Sequence, residues 1–224
     1  MDKSAKAILE KRISKVTKSL QKNNMQVHYV EGKEDVPQKV SEILSEGDTV
    51  SVGGSTSIFE SGVIDLLHSG KYNFLDRYEE GLSREGIEKI FIDSFSADAY
   101  ICSSNAITEN GELYNVDGNS NRVAAICYGP KSVIIVVGYN KIVRNLDDAV
   151  KRVKSIAAPA NCHRLSYESY CKGKGECMAF LSDNPDMASG CDGANRICCT
   201  YVVSAYQRNK DRIKVIIVGE ELGY

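Results

Sequence analysis

Residues 49–57 read TVSVGGSTS, which places Gly53 and Gly54 and the hydroxyls of Ser55, Thr56 and Ser57 between an apolar run and an amphipathic segment. Glycine lets the backbone approach a ligand closely, and a helix start presents free N–H groups to an anion, so Gly53, Gly54, Ser55 and Thr56 are candidates to hold phosphate or carboxylate. The G-x-x-x-x-G-K-[ST] spacing is absent, so this is not a Walker A loop. A tight turn with one of the hydroxyls as N-cap accounts for the same residues. A second polar run, SSNAITENGELYNVDGNSNR, occupies residues 103–122. Asn110-Gly111 predicts a β-hairpin with a type I′ turn, flanked by Glu109 and Glu112. The hairpin leaves Asn105, Asn115, Asp117, Asn119, Asn121 and Arg122 unexplained. Asn amides donate and accept at once, as a polar ligand requires, and Arg122 can clamp an anion with two parallel hydrogen bonds. A polar loop that caps its own backbone is the alternative.

Of eight cysteines, Cys102 and Cys127 sit in apolar surroundings and read as small core residues, whereas the other six fall within residues 162–199. Cys171, Cys177, Cys191 and Cys198 lie in a Gly-rich stretch without apolar periodicity. Four thiolates there can hold zinc or an iron–sulfur cluster. Reduced thiols, or disulfides formed outside the cell, are the alternatives. Of the three histidines, His28, His68 and His163, His28 falls in a strand pattern and His68 at a helix end, and no catalytic His motif occurs.

Positioning these groups requires a frame. Leu9, Ile13, Val16 and Leu20 make one helical face; Val36, Val40, Ile43 and Leu44 another; Phe59, Val63, Leu66 and Leu67 a third; Ile87, Ile90 and Phe91 a fourth. Leu146, Val150, Val153 and Ala157 predict a helix that stops before Pro159. The strand candidates are MQVHYV, TVSV, YNFLDRY, AYIC, SVIIVV and the closing RIKVIIVGEELGY. Their alternation with helices predicts an α/β fold: a mostly parallel, Rossmann-like sheet with helices on both faces. An N-terminal helical extension (residues 1–24) precedes the α/β domain (residues 25–224), and a Cys-rich excursion (residues 162–199) precedes the final strand. Ligands of such sheets bind beyond the carboxyl ends of the strands, where Asn140 and Lys141 follow SVIIVV.

The net charge of −2 gives no electrostatic case for nucleic acid or an anionic membrane surface. No apolar stretch approaches the roughly 20 residues of a membrane span. The charged N-terminus, MDKSAKAILEKRISK, has no signal-peptide core, so a cytoplasmic location is expected.

SSNAITENGELYNVDGNSNRVAA, GPKSVIIVVGYNKIV, AAPANCHRL and IIVGEELG, in that order, resemble the lactate-utilisation (LUD) domain family over residues 51–224. The resemblance implies the fold superfamily of ribose-5-phosphate isomerase and the CoA transferases, in which a strand–Gly-Ser-Thr–helix loop binds an anion. CoA transferases use a Glu nucleophile in a segment similar to TENG, which places a candidate at Glu109; the hairpin explains the same four residues. Some members of the family accompany iron–sulfur subunits in lactate oxidation. Members often carry GECxxC followed by RIC. This sequence keeps Cys177 and the RIC of residues 196–198 but lacks the tight C-x-x-C pair, leaving Cys162, His163 and Cys199 as substitute ligands. Two functions follow as expectations. One is binding of a small anionic metabolite (organic acid, sugar phosphate or acyl-CoA-like) in organic-acid utilisation. The other is service as an accessory or redox subunit of an iron–sulfur oxidoreductase, with zinc or a cluster as cofactor. A homo-oligomer is left open.

Overall fold

The stripe of Ile13, Val16 and Leu20 is the buried face of α1 (Lys3–Lys22) in the computed structural model, which describes residues 2–182 and 186–224. Asp2 caps this helix, its carboxylate accepting from the N–H groups of Ser4 and Ala5. The helices that follow are α2 (Val36–Ile43), α3 (Thr56–Glu60), α4 (Val63–Leu67), α5 (Arg84–Asp93), α6 (Asn121–Cys127), α7 (Leu146–Arg152), α8 (Ala158–Arg164) and α9 (Tyr170–Lys174). The strands are β1 (Gln26–Val30), β2 (Thr49–Val52), β3 (Asn73–Leu75), β4 (Ala99–Cys102), β5 (Ala106–Thr108), β6 (Leu113–Asp117), β7 (Ser132–Gly138), β8 (Ile142–Val143), β9 (Thr200–Ser204) and β10 (Ile213–Val218).

Six strands form one sheet in the order β1-β10-β7-β4-β2-β3, and every neighbouring pair is parallel. Successive side chains alternate between faces, so β4 gives Tyr100 and Cys102 to one core and Ala99 and Ile101 to the other. The first core is closed by α1, α6 and the β5–β6 hairpin. The second is closed by α2, α3 and α4. The chain leaves β2 over one face toward β3 and leaves β4 over the opposite face toward β7. The switch point therefore lies between β2 and β4, where a crevice opens beyond the strand ends. A second sheet, β8-β5-β6-β9, packs on α7 through a small core of Ala106, Tyr114, Val116, Ala149, Val153 and Ala158.

Four local expectations change. The helix expected around Phe59 and Leu67 is broken at Gly62, which adopts φ +70°; Phe59 turns out to solvent and meets Tyr78 edge to face. The helix expected to stop before Pro159 runs on. A π-turn over Val153–Ala157 joins α7 to α8 and leaves proline in the first turn of α8, where its missing N–H costs no hydrogen bond. The hairpin has a three-residue loop: Thr108 and Gly111 close the turn, and Gly111 alone takes positive φ, so the turn is not type I′. Finally, the Cys-rich segment leads first into β9 of the small sheet and only then to the last strand.

Candidate functional site

The switch-point crevice is a cleft of about 400 Å³. Gly54, Ser55, Thr56 and Ser57 reach it from the end of β2, Ser103, Ser104 and Asn105 from the end of β4, and Lys141 from the end of β7. Asp117, Asn119, Asn121 and Arg122 enter from the β6–α6 connection, and Asn161 and Arg164 from α8. The lining holds five cations, Arg77, Arg122, Lys141, Arg164 and Arg196, against one carboxylate, Asp117. The protein as a whole carries −2, so the cleft opposes the charge of the chain.

Lys141 is 3% exposed. Its Nζ donates to Ser57 Oγ at 2.8 Å and to Ser103 Oγ at 3.0 Å. Ser57 Oγ donates onward to the Leu222 carbonyl, so both of its roles are taken. An ammonium has three donors; two are held by hydroxyls, and no carboxylate among the described residues pairs with the charge. Burial, reinforced by Arg152 and Arg122, brings the Lys141 amine down to about 7. An amine poised there beside two hydroxyls is equipped to bind an anion when protonated and to accept a proton when neutral. Below it Arg152, 7% exposed, donates to the carbonyls of Asn140 and Asn105; burial alone lowers its guanidinium to about 10.

Arg122 is committed inward. Nη1 donates to the Ser103 carbonyl and Asn115 Oδ1, and Nη2 to Asn105 Oδ1 and the Val116 carbonyl. Nε faces Asp117 at 3.6 Å. Every edge of the guanidinium is occupied, so the bidentate clamp expected of Arg122 has no free pair of N–H groups; it contributes positive field and ties the β4, β6 and α6 segments together. The Asn side chains divide likewise. Asn105 Oδ1 accepts from Val116 N–H as well as from Arg122, and Asp117 caps α6 at Val123 N–H.

This architecture coincides with a family match. The chain matches the LUD domain over residues 13–218. It belongs to the LUD domain family. Over 94% of this chain and 98% of the other it is similar to the solved structure of a DUF162 family protein from Deinococcus radiodurans, with a TM-score of 0.53 and 16% identity. It also overlaps the eIF2B delta and beta structures from Chaetomium thermophilum. For delta the identity is 18%, coverage is 53% of this chain and 50% of that chain, and the TM-score is 0.36. For beta the identity is 16%, coverage is 54% and 42%, and the TM-score is 0.37. No curated protein matches the chain.

In this LUD domain, Gly54, Ser55, Thr56, Asn105, Asp117, Asn121, Arg122 and Lys141 share one cleft. Three of the residues singled out from the sequence stand elsewhere. Gly53 is buried behind the loop; a Cβ there would lie 2.9 Å from Cys102 Cβ, 3.0 Å from Tyr100 Oη and 3.1 Å from Arg122 Cδ. Asn140 spends its amide on the Leu222 N–H and the Gly223 carbonyl. Glu109 sits at the hairpin tip, gripped by Lys15 Nζ at 2.7 Å and Arg12 Nε at 3.2 Å. The Lys15 bond above all holds its carboxyl below the usual range. A carboxylate pinned by two cations and outside the cleft is an anchor for α1, and the nucleophile role does not fit it.

Ser57 and Ser103 were not singled out as ligands, although both follow buried strands at the carboxyl edge. Arg77 comes from a connection with no motif, and Arg164 ends α8 within the AAPANCHRL stretch. Arg77 stacks on Phe91 and lies against Tyr78.

Cys171, Cys177, Cys191 and Cys198 all line a second, small cavity together with Cys162. Among the described residues no group of three or more His, Cys, Asp or Glu side chains is placed so that it could hold a metal ion, and all eight cysteines are free thiols. Cys199 and His163 face solvent, outside that cavity. No helix among the described residues is long and apolar enough to cross a membrane.

Proposed function

We propose that the cleft binds a small anionic metabolite through Lys141, Ser57 and Ser103 at its floor and the Gly54–Thr56 backbone at its rim. The observation that carries this reading is Lys141: a buried ammonium, held by two hydroxyls, without a carboxylate partner among the described residues and with one donor left for a ligand. A buried charge is tolerated where something neutralises it, and an incoming carboxylate or phosphate does so. The cleft volume of about 400 Å³ fits an organic acid or a sugar phosphate, or the head of an acyl-CoA-like thioester. Membership of the LUD domain family supports a place in lactate or organic-acid utilisation.

The test is isothermal titration with phosphate, lactate, a sugar phosphate and an acyl-CoA, on the unaltered chain and on Lys141→Met. Saturable binding of at least one anion, lost in the variant, is expected. No binding by any of the four, or binding indifferent to Lys141, overturns the reading. A second reading, an accessory subunit of an iron–sulfur oxidoreductase, draws support from the five cysteines gathered beside the cleft; a stable complex with such a subunit would favour it, and a monodisperse chain indifferent to one would remove it.

A further inference from the structure

The five sulfurs come from three kinds of place: Cys162 from α8, Cys171 from α9, and Cys177, Cys191 and Cys198 from the loops that follow. Apart from α9 and a single 3₁₀ turn, the described part of this stretch has no regular structure before β9. Its inward side chains are largely cysteines. A segment with so little apolar surface needs another source of order, and a metal ion supplies it.

The geometry specifies the chemistry further. Cys162 and Cys171 have their sulfurs 3.6 Å apart. Two thiolates on one tetrahedral ion, each bonded at about 2.3 Å, stand about 3.8 Å apart, whereas a disulfide needs about 2.05 Å. The cavity they line is small, with about 20 Å³ open to a water-sized body.

Charge gives an independent indication. Lys154, 5% exposed, lines this cavity and donates from Nζ to the Ser189 carbonyl. Arg196 lines it too and donates to the carbonyls of Cys198, Cys191 and Ala188 and to Tyr201 Oη. Neither has a carboxylate partner among the described residues, and no Asp or Glu lines the cavity. Two cations therefore face a wall whose acidic groups are five thiols and the phenols of Tyr114 and Tyr201.

We propose that this cavity is a mononuclear, thiolate-ligated metal site, selective for zinc(II), in which Cys162 and Cys171 form the preset edge and the set is completed from Cys177, Cys191 and Cys198. Four thiols and one zinc(II) give a tetrathiolate of charge −2 and release four protons. No electron is transferred, and Lys154 with Arg196 offset the residual charge.

The experiment is metal analysis of the full chain, isolated without oxygen, followed by chelation and titration with cobalt(II). One zinc per chain is expected, and cobalt should restore the intense visible bands of a tetrahedral thiolate site. Cys171→Ala and Cys198→Ala should each lose metal at least tenfold, while Cys127→Ala, an exposed thiol outside the cavity, keeps it. Lys154→Met retains every sulfur and should weaken cobalt binding roughly tenfold; it reads the site even if a cysteine variant fails to fold. A metal-free chain whose five cavity thiols all react with a thiol reagent overturns the proposal, as does a Cys162–Cys171 disulfide in the oxygen-free preparation. Iron with equimolar sulfide would overturn the mononuclear assignment. None of these outcomes depends on the anion cleft, which Lys141→Met tests separately.

Discussion

The two cavities of this LUD domain share Val153, Ala158, Arg196, Ile197 and Cys198 in their walls, yet they are opposites in chemistry. The cleft is wide and cationic, and the ends of parallel strands set it out. The thiol cavity is narrow and nearly free of polar surface, and loops between α9 and β9 assemble it. The π-turn over Val153–Ala157 separates them, sending Ala157 to the cleft and Lys154 to the sulfurs. In the cleft a sheet built for its own reasons holds charged groups in place. In the thiol cavity the loop is held by its cysteines and by hydrogen bonds from Lys154 and Arg196.

The sharpest way to break this comparison is at Lys141. Lys141→Met is expected to lower anion affinity by about 100-fold, the worth of a charge-assisted contact in a buried site. It is also expected to leave the fold as stable or more so, because removing an unpaired buried charge relieves a desolvation penalty; titration and thermal unfolding, read together, check both. The pH dependence has a definite sign. The folded amine titrates at about 7, below its ordinary 10.5, so between those values the unfolded chain binds the extra proton. Lys141's contribution to stability should then increase as pH rises from 7 toward 10.5. Anion affinity should move the other way, falling as pH rises through 7. Parallel trends would contradict the assignment.

Arg122→Lys keeps the charge but supplies three donors where four hydrogen bonds are made. It should cost roughly 2–4 kcal/mol of unfolding free energy by chemical denaturation. A cost under 1 kcal/mol would mean that Arg122 is not the tie between the β4 and β6 segments.

Within the glycine pair the two positions should separate. Gly53→Ala puts a methyl 2.9 Å from Cys102 Cβ and should cost about 1–3 kcal/mol through overpacking. Gly54→Ala meets only Arg77 and Tyr78 side chains at 3.7 Å. It should stay within about 0.5 kcal/mol of the unaltered chain and reduce anion affinity alone. Equal costs would merge two roles that the structure keeps apart.

The smallest effect belongs to Glu109→Gln, which cuts ion pairs to the half-exposed Arg12 and the exposed Lys15. About 0.5–1 kcal/mol is expected, shrinking with added salt, with anion binding unchanged. A variant without activity in any reaction later found would return Glu109 to the chemistry.

The frame was readable from the sequence because it rests on period: β4 and β7 are apolar runs buried on both faces, and Ile13, Val16 and Leu20 keep helical spacing. Much of the cleft was readable for a related reason. Strand ends such as those before Gly54 and Lys141 are where a doubly wound sheet exposes its ligands. What did not show is partnership. Arg122 carries the same residue type whether it grips a ligand or, as here, Asn105, Asn115 and the carbonyls of Ser103 and Val116. Glu109 read equally as a candidate nucleophile in a TENG-like segment and as a hairpin charge; its partners Arg12 and Lys15 lie on α1, 97 and 94 residues away in sequence. The continuation of the helix through Pro159 depends on a π-turn that no local propensity announces. β9 carries no clean alternation: none of its residues is fully buried on either face at the edge of the small sheet.

The shared wall has a thermodynamic consequence. Ile197 and Cys198 face the cationic cleft on one side and the sulfurs on the other, so a ligand that fixed their positions in one cavity would alter the ordering entropy left for the other. Linkage then requires reciprocity: whatever factor the metal applies to the affinity for the anion, the anion applies to the affinity for the metal. Measured either way round, that single factor reports how far a loop stapled by sulfur is felt at the ends of the strands.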